Sequence, residues 1–239
     1  MTPLLELRGV SKAFGKVVVA DDLSYALQMG EVLGVVGPNG AGKTSMLNLI
    51  SGNLQSDSGQ IRLDGRDITS MPAHARARAG IGRTFQIPRP FSGMTVFENV
   101  LVGAAHARRT DRLERCVEAL ALAGLEARAN AIAGSLTLLD RKRLDLARAL
   151  AMRPRLLMLD EIAGGLTEAE VQVLIGTVRG LKAEGLAIIW IEHIVQALVS
   201  VVDRLMATNY GRMLVDGEPR AVMANPEVQS VYLGHSVSA

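Results

Sequence analysis

A single cysteine, Cys116, stands among 239 residues. One thiol cannot form an internal disulfide framework and is too few for a zinc site, as expected of a reducing compartment. Long apolar runs are missing as well. The longest strand-like stretches, Leu156 to Leu159 and Leu186 to Ile191, fall far short of the roughly 18 residues a membrane span needs. The opening residues, Met1 to Glu6, lack the basic and apolar regions of a signal peptide. The chain is therefore expected in the cytosol, serving a membrane only through a partner. A surplus of one charge is also absent: 26 Lys and Arg against 24 Asp and Glu leave +2, without the clustered excess of a nucleic-acid binder. Internal repeats and low-complexity linkers are not found. What the chain does have is 49% apolar and 21% charged residues, enough for a sizeable core. Its length suits one large domain, or one domain with an inserted lobe.

The first thirty residues alternate with period two, as in Leu5-Glu6-Leu7-Arg8 and Val17-Val18-Val19-Ala20, punctuated by Gly9, Gly15 and Gly30. This predicts a small antiparallel β lobe. Val32 to Val36 reads as a buried strand, and Lys43 to Ser51 has helical spacing with Met46, Leu47, Leu49 and Ile50 apolar. Gln60 to Asp67 predicts a hairpin turning at Asp64-Gly65. From Val96 to Leu150 the pattern is almost wholly helical, with an amphipathic stretch from Arg112 to Leu125, and predicts an inserted helical lobe. Strands resume at Leu156 to Leu159 and Ala187 to Ile191, with a short strand pair around Arg212 to Gly217. Strands alternating with helices imply a mostly parallel sheet covered on both faces.

Between the Val32 strand and the Lys43 helix lies Gly37-Pro38-Asn39-Gly40-Ala41-Gly42-Lys43-Thr44, followed by Ser45. It matches the phosphate-binding pattern G-x-x-x-x-G-K-[ST], in the strand-to-helix setting that pattern requires. Glycines let the backbone wrap an anion, so that successive N–H groups and the positive helix end face it. Lys43 would reach the β- and γ-phosphates, and the Thr44 hydroxyl would ligate Mg²⁺. Such a loop needs an acidic partner for the metal where a neighbouring strand ends. Leu156-Leu157-Met158-Leu159-Asp160-Glu161 supplies four apolar residues and then two carboxylates. Asp160 is expected to hold Mg²⁺ through its hydration shell, and Glu161 to polarise the attacking water.

With these motifs in this order the chain resembles the ATP-binding subunits of ABC transporters over essentially its whole length. The resemblance implies an α/β fold of the P-loop NTPase (RecA-like) type, a mostly parallel sheet with an N-terminal antiparallel β lobe and an inserted helical subdomain. It implies one ATP-binding domain over residues 1–239, with 1–85 and 151–239 as the core and 86–150 as the helical insertion. Arg83-Thr84-Phe85-Gln86 looks like the Q-loop, whose Gln86 is expected to touch the metal or attacking water. Ile191-Glu192-His193 looks like the switch segment, with His193 as the γ-phosphate contact. Phe14 matches the aromatic that stacks on adenine, with Tyr25 as an alternative nearby. Taken alone, Gln86 is equally a capping or loop amide, a histidine such as His193 after an apolar strand is more often structural, and an isolated Phe14 is usually core. Their order beside Lys43, Asp160 and Glu161 is what carries the assignment.

One departure stands out. The family signature aligns with Leu136-Thr137-Leu138-Leu139-Asp140, where Leu139 replaces a glycine that approaches the partner subunit's nucleotide. Thr167 stands where the D-loop usually carries Asp, and Ile162 where Pro usually follows the Glu. Two expectations follow: a heterodimer with unequal ATP sites, or a subfamily variant whose helix N-terminus still faces phosphate. The resemblance further implies two permease subunits in the membrane, a substrate-binding protein acting indirectly, and a place on the inner face of the cell membrane. Arg83 to Gln86, Met94 to Val100 and the tail Asn225 to Val228 with Tyr232-Leu233-Gly234 look like the branched-chain amino acid importers. Another ABC assembly such as lipid export, a P-loop kinase and a DNA-repair-type relative are the rivals. Pro88 to Met94 is the expected permease contact through Phe91 and Met94. Arg108, Arg109 and Arg112 are expected on a solvated face.

Overall fold

The computed structural model describes residues 2–105 and 111–233, so that Arg108, Arg109 and Gly234 lie outside the described residues. The period-two opening forms β1 (Leu5–Phe14) and β2 (Val17–Leu27), paired antiparallel. With β4 (Ser58–Leu63) and β5 (Arg66–Asp67) they make a four-stranded sheet in the order β2-β1-β4-β5, its β4–β5 hairpin turning at Asp64-Gly65. The second sheet has six strands. β3 (Val32–Val36), β6 (Ile81–Arg83), β7 (Leu156–Asp160), β8 (Ala187–Ile191) and β9 (Arg204–Asn209) run parallel, and β10 (Arg212–Gly217) closes one edge antiparallel.

The order of this sheet is β10-β9-β3-β8-β7-β6. It corrects one expectation: the strand carrying Asp160 is not the neighbour of the strand feeding the glycine loop, because β8 lies between them. Apolar spacing reveals strands but says nothing of their lateral order. The strand pair expected around Arg212 to Gly217 also begins earlier, since β9 starts at Arg204 and belongs to the parallel set.

Every residue of β3, β7 and β8 is buried. Alternation sends Leu33, Val35, Leu156, Met158, Ile189 and Ile191 to one face, against α1 (Lys43–Ser51) and the antiparallel sheet. Leu157, Leu159, Ile188 and Trp190 go to the other, against α6 (Glu168–Ala183) and the helical insertion. Side chains one residue apart in a strand point to opposite faces, so five-residue runs build two cores at once. Arg76, in α2 (Ala73–Arg78), is fully buried and donates to the carbonyls of Leu49, Ile50, Thr69 and Met71, closing the C-terminal end of α1.

Between β6 and β7 the chain leaves the sheet for α3 (Val96–Ala104), α4 (Arg112–Ala123) and α5 (Leu138–Leu150). Cys116, Ala119, Leu120 and Ala123 form the buried stripe of α4, as the amphipathic spacing predicts. Short helices α7 (Val195–Val199), α8 (Pro219–Ala224) and α9 (Pro226–Leu233) follow β8 and β10. Among the described residues no helix is long and apolar enough to cross a membrane.

Candidate functional site

The loop from Gly37 to Gly42 joins β3 to α1 and is clamped on both sides. A Cβ at Gly37 would meet the Thr208 carbonyl oxygen at 2.3 Å, and one at Gly42 the Val19 carbonyl oxygen at 2.3 Å. Gly40 and Gly42 also have φ of 81° and 92°, in the left-handed region that glycine enters without strain. The Gly211 N–H bonds the Ala41 carbonyl at 3.0 Å, fixing the far side of the loop on the β9–β10 turn. Gly42 is the N-cap of α1, so the free N–H groups of the first helical turn open toward the loop.

Lys43 is buried and donates to the carbonyls of Gly37 and Pro38 at 2.7 and 2.9 Å. Burial pulls its pKa down, and the nearby carboxylates of Glu161 and Asp160 work against that shift. Thr44 is exposed at the loop mouth, its hydroxyl 3.5 Å from Oδ1 of Asp160. Both are hard oxygen donors of the kind Mg²⁺ takes together with substrate phosphate and water, so the residues present fit that ion. No cluster of three or more His, Cys, Asp or Glu side chains suited to a metal is found among the described residues.

Asp160 ends β7, and Glu161 begins the turn that follows with φ +48°, a left-handed conformation that costs a side-chain-bearing residue of this kind about 1–2 kcal/mol. The Glu161 N–H bonds the Ile191 carbonyl of β8 at 2.9 Å. With β8 between β3 and β7, the residues after Ile191 emerge beside Glu161. His193 Nε2 lies 2.6 Å from Oε1 of Glu161, and Gln86 Nε2 donates to Oε2 at 2.5 Å. Three residues 75 and 32 positions apart in the chain thus meet on one carboxylate. The next carboxylate, Glu192, turns inward instead. It is buried, accepts from the Ala163 N–H at 2.6 Å, and has its pKa raised by desolvation.

Phe14, at the end of β1, is 54% exposed with the Lys12 ammonium 5.4 Å from its ring centre. Tyr25 is packed in the core with its hydroxyl on the Met46 sulfur at 3.4 Å. The alternative aromatic is therefore unavailable for stacking, and burial raises its phenol pKa. Thr137 N-caps α5 by accepting from the Asp140 N–H at 3.2 Å. Leu138, at the first position of α5, is exposed, and its side chain lies against Gly165 of the D-loop segment. Leu139 and Asp140 are half-buried. Thr167, where the D-loop usually carries Asp, caps α6 in a capping box with Glu170.

A cleft of about 580 Å³ opens beside Thr44 and Asp160, lined also by Asn48, Arg83, Phe85 and Gln86 and by Asp145 and Arg148 of α5. Sequence spacing leaves Arg83, Asn48, Lys142 and Asp145 without roles, yet all four engage site elements. Asp145 accepts from the Phe85 N–H at 2.8 Å, next to Gln86, and Lys142 reaches the Glu161 carbonyl at 3.5 Å. Phe91 and Met94 are 46% and 39% exposed in a loop ordered by buried Asn99, which accepts from the Phe91 N–H and donates to the Phe91 and Thr95 carbonyls.

Comparison with known proteins places residues 20–164 in a match to the ABC transporter family model. The chain is 36% identical to the high-affinity branched-chain amino acid transport ATP-binding protein BraF of Pseudomonas aeruginosa, over 98% of this chain and 99% of that one. It is 34% identical to the lipopolysaccharide export system ATP-binding protein LptB of Acidithiobacillus ferridurans, over 98% of both. Among solved structures it is similar to the ADP conformation of MJ1267, an ATP-binding cassette of an ABC transporter. There the TM-score is 0.90 and the identity 28%, across 98% of this chain and all of that one.

Proposed function

Because the chain belongs to the ABC transporter family, whose ATP-binding cassettes are ATPases coupled to transport, we propose that it is the ATP-hydrolysing subunit of an importer for branched-chain amino acids or related small amides. The observation that carries the catalytic part is the meeting of Gln86 and His193 on Glu161, beside the glycine loop and Asp160. In this reading the loop N–H groups from Gly37 to Ser45 cradle the phosphates and Phe14 stacks on the base. Lys43 exchanges its two loop carbonyls for β- and γ-phosphate oxygens, gaining charge-assisted bonds. Bound Mg²⁺, held by Thr44 and Asp160 with Gln86 nearby, supplies neutralisation of charge on the transferring phosphate. Glu161 accepts a hydrogen bond from the attacking water, while Gln86 and His193 orient its carboxylate and sense the γ-phosphate.

The useful output is mechanical. Two such subunits pair head to tail, each nucleotide lying between one subunit's loop and the other's Thr137 to Asp140. ATP favours the closed pair, and hydrolysis lets it part. Leu139 in place of glycine makes this chain the weaker signature of an unequal pair. Residues 86–150 act as a lobe on the core formed by 1–85 and 151–239, and present Phe91 and Met94 to a permease, whose apolar contact they suit. The chain then sits in the cytoplasm, peripheral on the inner face of the membrane, with no role in nucleic-acid binding.

The amino-acid assignment rests on the similarity to BraF, and similarity to LptB keeps lipid export as a second reading. Purification of the tagged chain from membranes in mild detergent separates them. Two integral-membrane permeases and a second, non-identical ATP-binding subunit are expected to accompany it. Recovery of export components, or of this chain paired only with itself, would contradict the importer or the unequal pair respectively.

A further inference from the structure

Asp160 is 4% exposed at its side chain, and so is not left to solvent for its balancing charge. Arg83, itself 7% exposed, donates from one terminal nitrogen to Oδ2 of Asp160 at 2.9 Å. Its other terminal nitrogen donates to Oδ1 of Asn48 at 2.6 Å and to the Ser51 hydroxyl at 3.3 Å, both on α1. The planar guanidinium thus bridges the helix that starts at Lys43 and the strand tip that carries Asp160. Its fixed fork holds the two at a set separation, which a flexible ammonium would not do. Capture of Oδ2 leaves Oδ1 as the oxygen facing Thr44, 3.5 Å from its hydroxyl. Two residues beyond Arg83 comes Phe85, whose ring centre lies 5.2 Å from the guanidinium, and then Gln86.

We propose that Arg83 is the positioning residue of the metal-facing carboxylate: it turns Oδ1 of Asp160 toward Thr44 and ties it to α1 through Asn48. This rests on the Mg²⁺-dependent nucleotide site proposed above. Two effects of the guanidinium oppose one another, and their signs separate the proposal from a plainer one. A positive charge placed only to neutralise Asp160 repels a dication, so removing it would tighten metal binding. A group that orients the carboxylate has the opposite effect, and loss of such outer partners typically weakens a metal site by roughly 10- to 100-fold.

The test is equilibrium binding of a methylanthraniloyl-labelled ATP to the full chain, with magnesium chloride titrated at fixed nucleotide and a parallel series in EDTA. In Arg83→Met the half-saturating Mg²⁺ is expected to rise about tenfold, while affinity in EDTA stays within about twofold of the unmodified chain. Arg83→Lys is expected to recover part of the loss. Asn48→Ala, which removes the second anchor and leaves both charges, is expected to shift the midpoint in the same direction by about threefold. It carries the test alone if Arg83→Met does not fold with Asp160 unpaired. An unchanged or lowered Mg²⁺ midpoint in the folded variants would overturn the proposal, as would equal losses with and without Mg²⁺. An unmodified chain that binds nucleotide no better with Mg²⁺ than in EDTA would instead overturn the function proposed above, and this inference with it.

Discussion

Replacing Glu161 by Gln is expected to cut ATP turnover by about 10²- to 10⁴-fold, the range a positioned general base contributes, while leaving nucleotide affinity within about twofold. The reason lies in the geometry of one carboxylate. Oε1 and Oε2 are held by His193 and Gln86 at 2.6 and 2.5 Å, so the carboxylate is oriented from both sides. An amide of the same shape keeps one acceptor but loses the charge that polarises water. Its φ of +48° is the same strain for Gln as for Glu, so the backbone turn is kept. Phosphate release under saturating ATP, beside equilibrium binding of the same nucleotide, separates the two effects. Near-normal phosphate release by the variant would remove Glu161 from the chemistry.

Gly42→Ala should be as damaging to binding as Glu161→Gln is to turnover, through a different cause. The residue has φ of +92° and is the N-cap of α1, where the chain turns from the loop into the helix. An added Cβ would lie 2.3 Å from the Val19 carbonyl oxygen and 3.3 Å from Gly211 Cα, both backbone atoms that no rotamer change can move aside. The loop must shift away from the β1–β2 hairpin and the β9–β10 turn, and the N–H groups of the first helical turn shift with it. A melting temperature lower by roughly 5–10 °C and nucleotide affinity weaker by at least about 100-fold are expected. Calorimetry with and without ATP reads both. A variant that melts and binds like the unmodified chain would show that the loop tolerates a Cβ where the backbone closes on it.

Much of this was legible in the residues, for identifiable reasons. β3, α1 and β8 fall within the ranges that apolar spacing predicts, because each is a short element whose side chains are sorted by burial alone. The glycine pattern marks its own loop, since few backbones other than that turn need positive φ at Gly40 and Gly42. What spacing does not carry is lateral order and pairing at a distance. Placement of β8 between β3 and β7 is invisible in the sequence, yet it is the reason His193 reaches Glu161. β6 is only Ile-Gly-Arg, too short to show a period. Arg83 finds its partners 35 and 77 positions away, so nothing local distinguishes it from a surface arginine. Tyr25 and Phe14 look alike in sequence, and only burial separates the core residue from the exposed ring.

The proposed chemistry requires a triphosphate tail gripped by the loop that ends in Lys43. Equilibrium binding of ATP to Lys43→Ala tests it most directly, because the side chain's only hydrogen bonds among the described residues are to the carbonyls of Gly37 and Pro38, and its loss leaves the glycine turns in place. Removing two or more charge-assisted bonds to phosphate is expected to weaken binding by about 100-fold or more and to abolish phosphate release. A variant that binds and hydrolyses ATP as the unmodified chain does would show that Lys43 does not hold the phosphates.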